Sequence, residues 1–187
     1  MLKRLAVLTF FLGLPSSVLA QTPKAAVFRT PVFEVFGGYS YTRFSALGTS
    51  MNGNGVLGSF AWNFKPWVQI AADASYDRAS LAGGPTNLYG NHYGFRFFYR
   101  SGSQRKWGLS PFGEALFGGS KVDAKIGASR FSDLGFSFKT GGGLDLGLYR
   151  RLAIRLIDAD YYRTSFFHAR QNDFWVSAGV VLRFGGL

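Results

Sequence analysis

The 187-residue chain has no cysteine, which excludes a disulfide framework, a cysteine-ligated zinc site and thiol chemistry. Histidine is nearly absent. His92 and His168 are the only two, and no carboxylate spacing in the sequence joins them into a typical zinc site. Charged residues are sparse, at 17%. No uninterrupted apolar stretch follows the first twenty residues, which excludes a membrane protein built from helices. Gly141-Gly142-Gly143 lacks the Gly-Lys-Ser/Thr ending and the following helix of a phosphate loop.

Aromatic residues reach 18% and glycines number 25, a mixture suited to many short strands joined by tight turns. The N-terminus reads as an export signal. Lys3 and Arg4 precede the apolar run Leu5 to Leu14, which is too short to span a bilayer as a helix. Val18-Leu19-Ala20 has the small-x-small form of a cleavage site. The expected division is a signal peptide over 1–20, a short periplasmic segment over 21–31 and one domain over 32–187. Removing Lys3 and Arg4 lowers the net charge from +11 to +9. Export makes anionic lipid a more natural partner for such a chain than nucleic acid.

Beyond residue 32 the apolar period is two, the mark of strands. Eight candidates are expected: about 33–44, 55–64, 68–77, 91–99, 110–118, 136–148, 152–162 and 173–184. Tyr93, Phe95, Phe97 and Tyr99 illustrate one face; His92, Gly94, Arg96 and Phe98 illustrate the other. The seventh candidate breaks parity: Arg155 shares the parity of Ile157, Ala159 and Tyr161, whereas Asp158 and Asp160 fall on the opposite set. Either a β-bulge shifts the register near Ile157, or the aspartates stand at a rim above lipid. Short connections follow candidates two and six, and a longer basic one follows candidate four. Long connections follow the odd-numbered candidates, at about 45–54, 78–90, 119–135 and 163–172. Outer-membrane barrels have this asymmetry, with short periplasmic turns and long external loops.

The expected fold class is therefore all-β: an eight-stranded antiparallel transmembrane up-and-down barrel. Its polar face carries Glu34, Asp73, Arg96, Glu114, Lys139, Asp145, Arg155 and Arg183, a set of both signs able to pair across a narrow lumen. Its other face carries Tyr39, Tyr41, Trp62, Trp67, Tyr76, Tyr99 and Phe184 toward strand ends, as an interfacial girdle requires.

The chain resembles the small OmpA-type barrels of the outer-membrane β-barrel domain family. The resemblance rests on Val35-Phe36-Gly37-Gly38-Tyr39-Ser40-Tyr41, on Ala61-Trp62-Asn63-Phe64-Lys65-Pro66-Trp67 and on Pro111-Phe112-Gly113. It continues through Gly141-Gly142-Gly143-Leu144-Asp145, Ala153-Ile154-Arg155-Leu156, Ala159-Asp160-Tyr161 and the closing Ser177-Ala178-Gly179-Val180-Val181-Leu182-Arg183-Phe184. It implies a monomer in the Gram-negative outer membrane, inserted by the barrel-assembly machinery, which reads a final aromatic residue. Here Phe184 is followed by Gly185-Gly186-Leu187.

The interior charges admit two readings, a salt-bridged plug or a small diffusion pore or proton path; the plug is favoured. An enzyme of outer-membrane lipids built on His92 or His168 is a third and lesser reading, because no serine lies at a spacing that compels pairing. No catalytic residue, cofactor or metal is expected. Lys121, Lys125 and Arg130, in the longest external loop, are placed to contact lipopolysaccharide phosphates or simply water. Arg100, Arg105, Lys106, Arg150 and Arg151 are expected in periplasmic turns, near phospholipid head groups.

Overall fold

The structure, a computed structural model, describes residues 30–46, 49–81, 84–100, 108–166 and 169–186, with only the backbone of 44–46, 49, 81, 126, 169 and 170. The expected signal peptide, residues 21–29, Arg105, Lys106, His168 and Leu187 lie outside the described residues. Eight strands follow in chain order: β1 (Phe33–Ala46), β2 (Thr49–Lys65), β3 (Val68–Leu81), β4 (Gly84–Phe98), β5 (Gly108–Ile126), β6 (Ser129–Tyr149), β7 (Leu152–Phe166) and β8 (Ala169–Phe184). Every neighbouring pair is antiparallel, and β8 pairs with β1, so the sheet closes into a barrel. Closure leaves no strand edge unpaired.

The alternation that predicted the strands also sets their two faces. Phe33, Val35, Phe60, Trp62, Tyr93, Phe95, Phe97, Val180 and Leu182 are exposed on the outer wall, while Glu34, Asp73, Arg96, Glu114, Asp145 and Arg155 are buried inside. Water-soluble barrels have the opposite arrangement. Register shifts flank two turns, at Asn63/Lys65 and Gly147/Tyr149, and one lies within the wall, on β7. Arg155 faces Gly179 and Asp158 faces Ser177, so Leu156 and Ile157 together oppose Ala178 alone. Both bulged residues point outward, at 45% and 46% exposure. Arg155 and Asp158 therefore both turn inward, which selects the bulge over the rim.

The expected long external loops are corrected. Pairing runs on through most of them, and β5 and β6 reach 19 and 21 residues. Their hairpin turns at Gly127, whose φ of +61° suits a two-residue turn. A crossing needs only about 9–11 tilted residues, so the excess stands beyond the apolar belt. There the outward residues of β5 are polar: Ser120 and Val122 stay buried inside while Lys121 and Lys125 face water. Only near the turn, at 129–132, are both faces exposed, while the backbone ladder persists.

Inward glycines relieve crowding. A Cβ on Gly118 would lie 1.9 Å from the Asn91 carbonyl oxygen and 2.9 Å from His92 Cα, whereas one on outward Gly58 would meet nothing within 4 Å. Gly118→Ala is expected to destabilise the folded barrel by about 1–3 kcal/mol through overpacking. Gly58→Ala should be near neutral. Urea titration of the two variants in micelles separates these outcomes.

Candidate functional site

Among the described residues, polar chemistry is concentrated in the lumen. Eight of the chain's ten carboxylates are buried there: Glu34, Asp73, Asp77, Glu114, Asp145, Asp158, Asp160 and Asp173. They form three storeys along the axis.

At the end nearest the chain termini, Glu34 sits 3.0 Å from Arg100 and 3.5 Å from Arg183. Gln69 Nε2 donates to its second oxygen at 2.9 Å. Arg100 was expected in a periplasmic turn. Instead it continues the inward parity of Arg96 and Phe98, lies 4.4 Å over the Phe98 ring and turns into the lumen.

The central storey holds three cations. Arg155 donates to Asp145 at 2.9 Å and to Asp158 at 3.1 Å, and the bulge makes the second contact possible. Its guanidinium is held between the rings of Phe36 and Phe112, 4.8 and 4.3 Å from their centroids. Arg96 donates to both oxygens of Asp73 at 2.9 Å, to Ser59 at 2.9 Å and to Glu114. Lys139 reaches Asp160 at 3.2 Å, Asp73 at 3.6 Å and Glu114 at 3.9 Å, with Trp175 3.6 Å below its ammonium. Burial of so many charges is tolerable only when they are paired and hydrogen-bonded.

Carboxylate oxygens of Glu114, Asp158 and Asp160 lie within 4.8 Å of one another. Lys139 and Arg155 already contact members of this group, so protein cations supply the countercharge that a metal ion would otherwise provide.

The third storey was not legible in the sequence. His92 Nε2 lies 2.7 Å from Ser137 Oγ; Ser120 donates to that same oxygen at 2.7 Å and is hydrogen-bonded to Tyr162. His92 and Ser137 are 45 residues apart in the chain. They meet because His92 pairs with Gly118 and Gly118 pairs with Ser137, leaving a gap without a side chain between them. No sequence spacing compels this pairing; the strand registers bring the two residues together. Ser137 is fully buried and His92 is 2% exposed, so the pair is sealed on the lumen side of the wall. Nearby, Ser40 donates to Asp77 at 2.6 Å.

All eight residues of the predicted lumen set face inward, and Arg183 is the most accessible of them, with a side chain 14% exposed. Arg96 and Arg155 are each 1% exposed, and Leu116, clustered with Ala61 and Ala71, is fully buried.

The outer surface carries the opposite charge. Arg43, Lys65, Arg78, Lys121, Lys125, Arg130, Arg150, Arg151 and Arg163 are exposed. The two remaining carboxylates, Asp123 and Asp133, both lie on β5–β6. Asp123 accepts from Ser132 and Lys121, and these bonds hold its carboxyl below the ordinary range.

No family model matches the sequence, and no curated protein matches it. Solved structures do. Neisserial surface protein A (NspA) superposes with a TM-score of 0.69 at 15% identity, covering 81% of this chain and 97% of that one. This chain has the fold of the small outer-membrane β-barrels. Ail, the attachment invasion locus protein of Yersinia pestis, gives 0.56 at 16% identity, covering 82% and 99%. It has also been solved with the heparin analogue sucrose octasulfate. The outer membrane protein OprG of Pseudomonas aeruginosa gives 0.51 at 9% identity, covering 83% and 97%. At these identities the likeness is one of fold.

Proposed function

We propose that this chain is an integral outer-membrane protein, a plugged barrel whose role is structural and surface-interacting. The observation that carries the reading is the inverted distribution of side chains. Aromatic and aliphatic residues cover the outside, and eight carboxylates with Arg96, Arg100, Lys139, Arg155 and Arg183 fill the inside. An apolar surface of this extent has acyl chains as its natural solvent. Tyr and Trp near the strand ends, among them Trp62, Trp67, Tyr76 and Tyr161, suit the two interfaces. Phe184 closes β8 as the aromatic residue offered to the assembly machinery, and Gly185 and Gly186 then leave the strand with φ near +69° and +68°.

A plug is favoured over a pore because the central cations Arg96, Lys139 and Arg155 are buried among the carboxylates they pair with. Ion flow past them would require breaking several charge pairs at once. A lipid-acting enzyme is disfavoured because His92 and Ser137 lie inside the wall, out of reach of a lipid outside it. The exposed cations suit anionic partners, first among them lipopolysaccharide phosphates.

Two measurements test this. The protein purified with the outer membrane should change gel mobility on boiling, as a folded barrel does. In planar bilayers it should give no steady unitary current. Recovery as a soluble periplasmic protein would defeat the membrane placement, and stable channels would defeat the plug.

A further inference from the structure

We infer that the outer wall at the top of β6–β7 is a binding site for one phosphorylated, multiply acylated lipid, with its phosphate on Arg163 and a chain along Phe136 and Phe138. The inference rests on the membrane placement proposed above and assigns the lipid a position.

A recurring pattern marks where the apolar belt ends. On the outer face, Tyr76 donates to Asn87 at 3.1 Å and Tyr161 donates to Asn172 at 2.5 Å, and Tyr39 is hydrogen-bonded to Asn54. In two of these hairpins an arginine stands one outward position above the tyrosine and directly opposite the asparagine: Arg78 faces Asn87, and Arg163 faces Asn172. The tyrosine hydroxyls thus lie at the interface, and the guanidinium groups lie in the head-group layer.

Arg163 differs from Arg78 in what flanks it. Arg78 has asparagine on both sides, Asn54 and Asn87. Arg163 has Asn172 on one side but Phe138 on the other. Above Phe138, Phe136 and Leu134 remain outward at 64% and 74% exposure. Leu134 lies four residues beyond Phe138, about 13 Å further along the strand. The apolar wall therefore climbs past the level of the arginine on this side only.

An open cleft of about 540 Å³ lies here, lined by Phe136, Phe138, Arg163, Thr164 and Ser165. Among the described residues no carboxylate is paired with Arg163. Lys121, by contrast, is engaged by Asp123 at 2.9 Å. A cation without a countercharge beside an aromatic wall that rises into the polar layer matches a lipid phosphate whose acyl chain lies against that wall.

The test uses the folded mature barrel in zwitterionic micelles, with bisphosphorylated hexa-acyl lipid A as the probe and native mass spectrometry as the readout. Arg163→Gln is expected to weaken binding about tenfold, the loss of one charge-assisted contact. Arg78→Gln should leave binding within about twofold. Dephosphorylated lipid A should bind about tenfold more weakly, and millimolar inorganic phosphate should not displace the lipid. Equal weakening by Arg163→Gln and Arg78→Gln would overturn the inference in favour of diffuse attraction. Unaltered binding by Arg163→Gln, equal binding of the dephosphorylated lipid, or displacement by inorganic phosphate would also overturn it. Heat-modifiable mobility of each variant reports folding independently. A parent chain that stays out of lipid vesicles would refute the membrane placement. Insertion with lipid A binding indifferent to Arg163 would refute this site alone.

Discussion

Replacing Arg96 with methionine is expected to cost about 3–5 kcal/mol of folding free energy, the usual penalty for removing one partner of a buried ion pair. Arg96 is 1% exposed and is shared by Asp73, Glu114 and Ser59. Without it, two carboxylates remain in the lumen with Lys139 as their nearest cation, at 3.6 and 3.9 Å. The loss should appear as a lower urea midpoint in micelles, read from the heat-shifted gel band. Adding Asp73→Asn and Glu114→Gln removes the stranded charges and should recover much of the stability. A single variant as stable as the parent would mean that water reaches the centre freely, which also counts against the plug.

The second large effect separates lipid from water as the barrel's surroundings. Phe60 is 52% exposed, between Val56 and Trp62 on the same outer face, with its ring stacked on Phe33 at 5.6 Å. In a bilayer, Phe60→Arg is expected to cost about 2–4 kcal/mol near the midplane. In water, an arginine at an exposed site would change stability by no more than about 0.5 kcal/mol. Asn52→Arg, on the same strand but above the belt, should be close to neutral in either setting. Equilibrium folding into phosphatidylcholine vesicles across a urea series measures all three. A neutral Phe60→Arg would remove the basis for a membrane-spanning wall.

Most of the wall was legible because a strand reports its two faces with a period of two wherever those faces meet different solvents. Tyr93, Phe95 and Phe97 against His92, Gly94 and Arg96 is the plainest case. The signal failed where the outer face left the apolar belt. Residues 119–126 and 129–135 pair as strands, yet their outward positions include Lys121 and Lys125. Ser120 and Val122 are buried inside and 129–132 are exposed on both faces, so no continuous apolar outer face marks the hairpin. It failed again at β7, where one extra residue moves Asp158 and Asp160 to the parity opposite Arg155. From sequence the bulge and the rim were equivalent; the cross-strand register decides between them. Arg100 was readable by parity but was drawn into the basic run Arg105-Lys106 that follows. The His92–Ser137 contact was hidden for another reason. It depends on two successive strand registers and on a missing side chain at Gly118, none of which periodicity encodes.

The seam between the first and last strands has a consequence for assembly. Eleven residue pairs join β1 to β8, and one of them sets Glu34 directly opposite Arg183. Before those edges meet, the sheet is a ribbon with two raw backbone margins, and the Arg183 half of the Glu34 latch is unmade. Zipping the margins together satisfies the last peptide groups and engages that latch in the same event. Half-joined forms keep both penalties in an oily medium, so the final step of assembly is driven toward all-or-none closure.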